Sequence, residues 1–321
     1  MSLRIAVVGV GHLGRHHARI LASLPGAELV AVVDKQPARA AEIAAANGTS
    51  PFVDYREVLG QVDAVTLAVP TELHREIALP FLSAGVPVLV EKPIARSLEE
   101  ADEMIAAAAR ARVALAVGHT ERFNPAVATA RALLADPRFI EVHRLGTFPE
   151  RSLDIDVVFD LMIHDLDVVL SVVHAEVESI EAVGVPVLTG RVDIANARVR
   201  FANGCVANLT ASRISRDRVR KIRFFQPSAY LSIDYAAQKV EVWQLVKNNG
   251  APPSIQGGDL DVTNEEPLKR ELADFVDAVA SGRAPVVTGE DGRRALALAQ
   301  LITDRMAAEM QPRKHEDTKN H

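Results

Sequence analysis

At 321 residues, with 48% hydrophobic and 24% charged positions, the chain has room for about two domains and the balance of a globular protein rather than a disordered one. A net charge of −6 and only 4% aromatic residues argue against nucleic acid as the main partner, since basic footprint and stacking platform are both weak. A single cysteine, Cys205, excludes an internal disulfide and a cysteine-built metal cage, and no apolar run reaches the roughly 18 residues of a membrane span. A cytoplasmic enzyme without a membrane partner is the expectation.

The first half alternates apolar runs with helical periodicity. Residues 3–10 form a predicted strand that runs into Gly9-Val10-Gly11-His12-Leu13-Gly14, and residues 15–24 follow as a helix with Ala18, Ile20, Leu21 and Leu24 as its apolar positions. G-x-G-x-x-G is a weak match by itself; the strand before it and the helix after it give it meaning. In that setting Gly9 supplies the tight turn, Gly11 lets backbone approach a pyrophosphate, and Gly14 permits close helix–strand packing. His12 and Leu13 lie in the same turn, where the helix start offers free N–H groups and a positive dipole end to phosphates. Residues 28–34 make a second strand ending in Asp34, where a carboxylate can accept the hydroxyls of an adenosine ribose. A glycine turn with a chance acid is the bland alternative, but the ordered series favours dinucleotide binding. Asp34 points to NAD, because a carboxylate repels a 2′-phosphate; Lys35 and Arg39 close by keep NADP open.

Residues 38–47 read as an alanine-rich helix closed by Gly48. Residues 62–69 are a strand leading into Pro70-Thr71-Glu72-Leu73-His74, and a helix runs over 77–84. Pro70 and Thr71 are expected beside the cofactor; His74 either touches it or is an exposed first-turn histidine. The short, β-branched run Val88-Leu89-Val90 then stops at Glu91, Lys92 and Pro93. Open α/β sheets bind ligands at the carboxyl ends of their strands, so Glu91 and Lys92 are placed at the cofactor, and proline forces the chain out of the sheet. An ammonium held at such a mouth suits proton chemistry, although Glu91 and Lys92 alone also read as a solvated pair. Ser97 and Glu100 form an S-x-x-E capping box opening a helix to residue 111. Residues 113–117 are a strand, after which Asn124 caps and Pro125 starts another helix. Repeated βα units of this kind predict a doubly wound parallel sheet, a dinucleotide-binding domain over residues 1–121.

From residue 122 to 310 the pattern predicts an α+β domain with a large, mostly antiparallel open sheet. Strands fall at 139–147, 177–187, 192–201, 205–214, 219–225, 230–234 and 239–246, with Asn203-Gly204 as a hairpin turn. Helices are expected at 154–173, 266–280 and 290–310, a loop at 249–258, and a disordered tail at 311–321. In the first of these helices Asp160 and His164 are four apart and share a face. Asp156 and Asp167 extend the acidic stripe, while Val157, Leu161, Ile163, Leu166 and Leu170 can turn inward. A solvated polar stripe is the common meaning of that pattern, but a dehydrogenase needs a base near its cofactor and histidine is the usual one. The Asp and His spacing matches no strong metal motif, and no metal is expected. Six of the eleven residues from Arg213 to Arg223 are Arg or Lys; a solvated sheet face or subunit contact is the main reading, a grip on substrate phosphates the lesser one.

The glycine turn, Pro70 to His74, Glu91-Lys92-Pro93 and the Asp160 and His164 pair together resemble the Gfo/Idh/MocA oxidoreductases over nearly the whole chain. The resemblance implies that Lys92 is the catalytic lysine, that Asp160 and His164 are its partners across a domain cleft, and that the bond before Pro93 is cis. Either His164 or Lys92 can be the base. Residues 118–126 and 160–165 further resemble the branch acting on sugar nucleotides. That implies NAD-dependent oxidation of a secondary hydroxyl, the 3-hydroxyl of UDP-N-acetylglucosamine or a related UDP-sugar. A free-sugar or inositol dehydrogenase and a non-catalytic dinucleotide sensor are the alternatives. Arg122, Asn124 and Arg151, near the domain junction, are the candidate substrate contacts, and a homodimer or homotetramer is implied.

Overall fold

The computed structural model describes residues 2–148, 155–246 and 252–310; Arg151 and the expected tail at 311–321 lie outside them. The chain divides into two units. The first comprises Met1–Leu133, Ile233–Glu241 and Asp259–Ala297, and the second comprises Leu134–Ser232, Val242–Gly258 and Leu298–His321.

The first unit contains the alternating elements: β1 (Leu3–Val8), α1 (Gly14–Leu21), β2 (Ala27–Val33), α2 (Pro37–Asn47), β3 (Ser50–Phe52), β4 (Ala64–Leu67), α3 (His74–Ser83), β5 (Val88–Glu91), α4 (Leu98–Ala111), β6 (Leu115–Gly118) and α5 (Pro125–Arg131). Their six strands pair in the order β3-β2-β1-β4-β5-β6, parallel throughout. Every residue of β4, β5 and β6 is buried, which is why those runs are mostly apolar rather than alternating, Thr66 and Glu91 being the exceptions. The order reverses between β1 and β4, so the carboxyl ends of β1, β4 and β5 share one edge at the switch point. Ile5, Val7, Val32 and Leu89 of the sheet pack with Ala18 and Leu21 of α1 and with Leu272 and Phe275. Ser97 caps α4 by accepting the Glu100 N–H at 3.3 Å, but the Glu100 carboxylate answers to the Arg96 N–H rather than to Ser97's own. α3 carries Pro80 inside it and starts at His74, three residues before the expected start.

The later part of the chain supplies β7 (Phe139–Leu145), α6 (Ile163–Val172), β8 (Val177–Val185), β9 (Ile194–Phe201), β10 (Val206–Ser212), β11 (Val219–Gln226), β12 (Ala229–Asp234), β13 (Lys239–Val246), β14 (Ser254–Leu260), α7 (Pro267–Ser281) and α8 (Gly289–Met310). The eight strands form one sheet in the order β14-β13-β12-β11-β7-β10-β9-β8. β7 runs parallel to β10 and antiparallel to β11. Asn203 and Gly204 turn β9 back into β10, as expected, with Gly204 at φ +81° and the Asn203 side chain accepting the Cys205 N–H. Two expectations are corrected. Residues 254–260 are a strand, not a loop: a Cβ on Gly257 would fall 2.0 Å from the Val242 carbonyl oxygen, so its glycine serves close backbone approach rather than a turn. And α6 is preceded by one π-helical turn, Val158–Met162, instead of being a uniform α-helix from residue 154. Among the described residues no helix is long and apolar enough to cross a membrane.

Candidate active site

The turn after β1 is built as its glycines require. Gly9 sits at φ +84°, a conformation only glycine takes without strain. A Cβ on Gly14 would lie 1.7 Å from the Gly9 carbonyl oxygen, so any larger residue there would drive α1 off the strand. At Gly11 a Cβ would find only the Arg39 guanidinium within 4 Å, at 3.9 Å. That face of the turn is an open cradle beside the start of α1, with His12 and Leu13 exposed next to it. Asp34 ends the neighbouring strand, and its carboxylate accepts the Val10 N–H at 3.1 Å and the Gln36 N–H at 2.9 Å. Arg39, one of the two residues that kept NADP open, is paired with that same carboxylate at 3.3 Å. These residues fit NAD: Gly9 to Gly14 would hold its pyrophosphate, and Asp34 its adenosine ribose.

Pro70 and Thr71 follow β4 at the same edge of the sheet, Pro70 exposed and Thr71 half-buried. His74 is not the exposed first-turn histidine that was one expectation; it is 1% exposed. Its Nε2 lies 3.0 Å from the Val69 carbonyl oxygen and its Nδ1 lies 3.0 Å from that of Pro93 and 3.2 Å from that of Ile94. Burial pulls its pKa below the ordinary imidazole value, against the opposing pull of these carbonyls. Its ring thus ties the end of β4 to the segment after β5, a bracing role rather than surface display.

Glu91 closes β5 inside the protein. Its Oε1 is 3.0 Å from Nε2 of His17, a fully buried residue of α1, and its Oε2 accepts the Lys92 N–H at 3.3 Å. Burial pushes the Glu91 carboxyl up, but the hydrogen bond to His17 and the nearby positive charge of Lys92 bring it below the usual carboxylate range. The solvated Glu–Lys pair is therefore corrected: the carboxylate is buried and bound. Lys92 itself is half-buried, and the Lys92–Pro93 peptide is cis. His17 escaped the sequence reading, though a signal was there. Gly14, His17, Ala18 and Leu21 make one i, i+3, i+4, i+7 stripe, and a lone polar residue on a core-facing stripe requires a partner.

In the second unit Asp160 lies in the π-helical turn and His164 in the first turn of α6, both half-buried. π-turns within helices concentrate at functional sites. The alternative of a solvated acidic stripe does not hold. Asp167 and Asp165 are buried, and Asp156 accepts the Val192 N–H at 3.0 Å. Asp165 holds Arg144 of β7 through two bonds, 2.6 and 3.0 Å long, which fastens α6 to the sheet. Arg213, a candidate phosphate grip, is also an interior residue. Its Nε donates to Asp193 at 2.9 Å and its Nη1 to the Ile155 carbonyl at 2.7 Å. Asp193 in turn accepts the N–H groups of Val187, Leu188 and Thr189. Neither buried arginine pair carried a local signal, because each joins residues about twenty positions apart on different elements. The rest of the basic run behaves as a sheet face: Ile222 and Phe224 point inward, and Arg223 meets Glu141 across the strands at 2.7 Å.

Of the candidate substrate contacts, Asn124 is buried. Its Oδ1 caps α5 through the Ala126 N–H at 3.1 Å, and its amide donates to the Tyr235 carbonyl at 3.0 Å. Arg122 is buried with Nη2 3.6 Å from Asp291. Burial raises the Asp291 carboxyl, but the Thr288 N–H and the positive charge of Arg122 outweigh it and hold the group below its ordinary range. Both residues tie the segment after β6 to its own unit.

A parallel six-stranded sheet with a glycine cradle, a carboxylate at the end of the neighbouring strand and a lysine at the same edge has the makings of an NAD-binding oxidoreductase. Residues 3–119 match the model of an oxidoreductase family with an NAD-binding Rossmann fold, and residues 101–226 match the GFO/IDH/MocA C-terminal domain. UDP-N-acetylglucosamine 3-dehydrogenase of Acidithiobacillus ferrooxidans is 39% identical over 306 residues, 94% of this chain and 96% of that protein. A solved structure of that enzyme superposes with a TM-score of 0.90 at 38% identity, covering 96% of this chain and 99% of the other. Inositol 2-dehydrogenase of Rhizobium meliloti is 26% identical over 344 residues, 97% of this chain and 99% of that one. The chain belongs to the Gfo/Idh/MocA oxidoreductase family and is an NAD-dependent dehydrogenase.

Proposed function

We propose that the protein oxidises the 3-hydroxyl of UDP-N-acetylglucosamine, or of a closely related UDP-sugar, to the 3-keto sugar nucleotide. The observation that carries this reading is the 39% identity to a UDP-N-acetylglucosamine 3-dehydrogenase, sustained over 94% of the chain. NAD, when bound, supplies the hydride acceptor. Oxidation of the secondary alcohol takes a hydride from C3 and a proton from O3. His164 is the acceptor of that proton, oriented by Asp160 one helical turn earlier, and Lys92 donates a hydrogen bond to O3 as its charge develops. Supporting these roles are the half-buried setting of all three groups, the bracing of the Lys92 segment, and the fixed seat of α6 on β7. A positioned base of this kind contributes on the order of 10²–10⁴ in rate. We further propose assembly into a homodimer or homotetramer through the outer face of the eight-stranded sheet, where Val183, Val185, Phe225, Trp243 and Leu245 are exposed.

The test is a substrate panel. UDP-N-acetylglucosamine, UDP-N-acetylglucosaminuronic acid, myo-inositol and glucose are each supplied with NAD, and reduced nicotinamide is followed by its absorbance. The reading expects turnover with a UDP-sugar and none with inositol or glucose. Turnover confined to inositol or glucose would replace it with a polyol or free-sugar dehydrogenase.

A further inference from the structure

Lys92 stands between two residues that are each fastened to a different helix. On one side Glu91 is bonded to His17 of α1 at 3.0 Å, and on the other the carbonyls of Pro93 and Ile94 meet His74 of α3 at 3.0 and 3.2 Å. α1 is the helix whose amino terminus forms part of the dinucleotide cradle. The Glu91 carboxylate also has a made space: its strand partner is Gly118 of β6, and a Cβ there would stand 3.1 Å from the carboxylate atoms. Among the described residues Nδ1 of His17 has no hydrogen-bond partner. The ring's N–H is therefore placed on Nε2, donating to Glu91 Oε1. A carboxylate only 6% exposed needs such a donor, because burying it unpaired is expensive.

We infer that His17 is a positioning residue for the reaction. Its hydrogen bond to Glu91 joins the dinucleotide-binding helix to the backbone from which Lys92 projects, so that cofactor and ammonium keep a common frame. The inference deepens the proposed function and rests on the catalytic role given there to Lys92. Misplacement of a reacting group by about 1 Å can lower a rate by roughly 10²-fold, so a loosened Glu91 should act on turnover more than on binding.

The experiment compares His17→Ala with His17→Gln, each alone and combined with Lys92→Ala. For each variant kcat and KM are measured on UDP-N-acetylglucosamine, NAD dissociation by calorimetry, and exchange of the Lys92, Ile94 and Ala95 amides by mass spectrometry. His17→Ala is expected to lower kcat by about tenfold or more, with KM and NAD affinity moved by less than about threefold. It should also speed exchange at those three amides while β1 and β4 stay protected. His17→Gln, which returns an N–H to Glu91, should recover most of kcat and of the protection. In the Lys92→Ala background His17→Ala should lower kcat no further. Unchanged kcat and unchanged exchange in His17→Ala, beside an inactive Lys92→Ala, would overturn the positioning role alone. So would faster exchange spread evenly over the whole unit with a lower melting temperature. Normal turnover in Lys92→Ala would instead remove the catalytic role of Lys92, and the role of His17 with it.

Discussion

Lys92 leaves the sheet at the end of a strand, Val88–Glu91, that is buried throughout, and the catalytic role proposed for its side chain rests on that placement. Lys92→Ala should lower turnover of the sugar nucleotide by roughly 10²–10⁴, as for loss of an acid–base or charge-stabilising group. NAD affinity, measured by calorimetry without substrate, should stay within a few-fold, because the glycine cradle and Asp34 are untouched. Gly14→Ala is the opposite case. The added methyl would fall 1.7 Å from the Gly9 carbonyl, so loss of NAD binding together with a lowered melting temperature is the expected outcome. The residues readable in the sequence were those whose meaning lies within a short stretch. Gly9, Gly11, Gly14 and Asp34 declare themselves by spacing along one βα unit, and Lys92 by the proline that follows it. The pairing of His17 with Glu91 could not be read that way, since they are 74 positions apart and neither shows its partner locally.

At the scale of elements, five of the six parallel strands and most helices followed from periodicity and caps; the three-residue β3 did not. Asn124, Pro125 and the Asn203-Gly204 turn act as their chemistry requires. What escaped were features set by packing between elements. The π-helical turn ahead of α6 has no composition of its own, and β14 was hidden behind glycines that usually signal turns. The buried Arg144–Asp165 pair is another such feature, and its energetics can be measured. Arg144→Ala or Asp165→Ala alone should lower stability by about 3–5 kcal/mol, because each leaves an uncompensated buried charge. Replacing both together with apolar residues of similar volume should be clearly milder. Denaturant midpoints of the three variants decide the matter, and equal losses in all of them would contradict this account.

For the whole molecule, resistance to acid gathers several of these interior contacts. Asp193 is buried; the Leu188 and Thr189 N–H groups, the Thr189 hydroxyl and Arg213 overcome the burial penalty and hold its carboxyl well below the ordinary value of 3.8. A carboxyl with a lowered folded-state pKa gives stability that is complete above its unfolded value and lost as pH falls through the folded one. Asp193→Asn should therefore melt lower than wild type at neutral pH, and the gap should narrow below about pH 4. A constant gap from neutral pH to pH 3 would rule out this source. The place of β7 carries another consequence at this scale. β10 and β11 are consecutive in the chain, yet they do not pair, because β7 lies between them. Until that earlier strand docks, with Phe139 meeting Val206 on one side and Phe225 on the other, each half of the sheet presents a raw edge. Such edges recruit strands from neighbouring chains, and long-range parallel pairing forms slowly. Substitutions that weaken β7 should therefore show first as aggregated product during synthesis, before any loss of catalysis in the molecules that do fold.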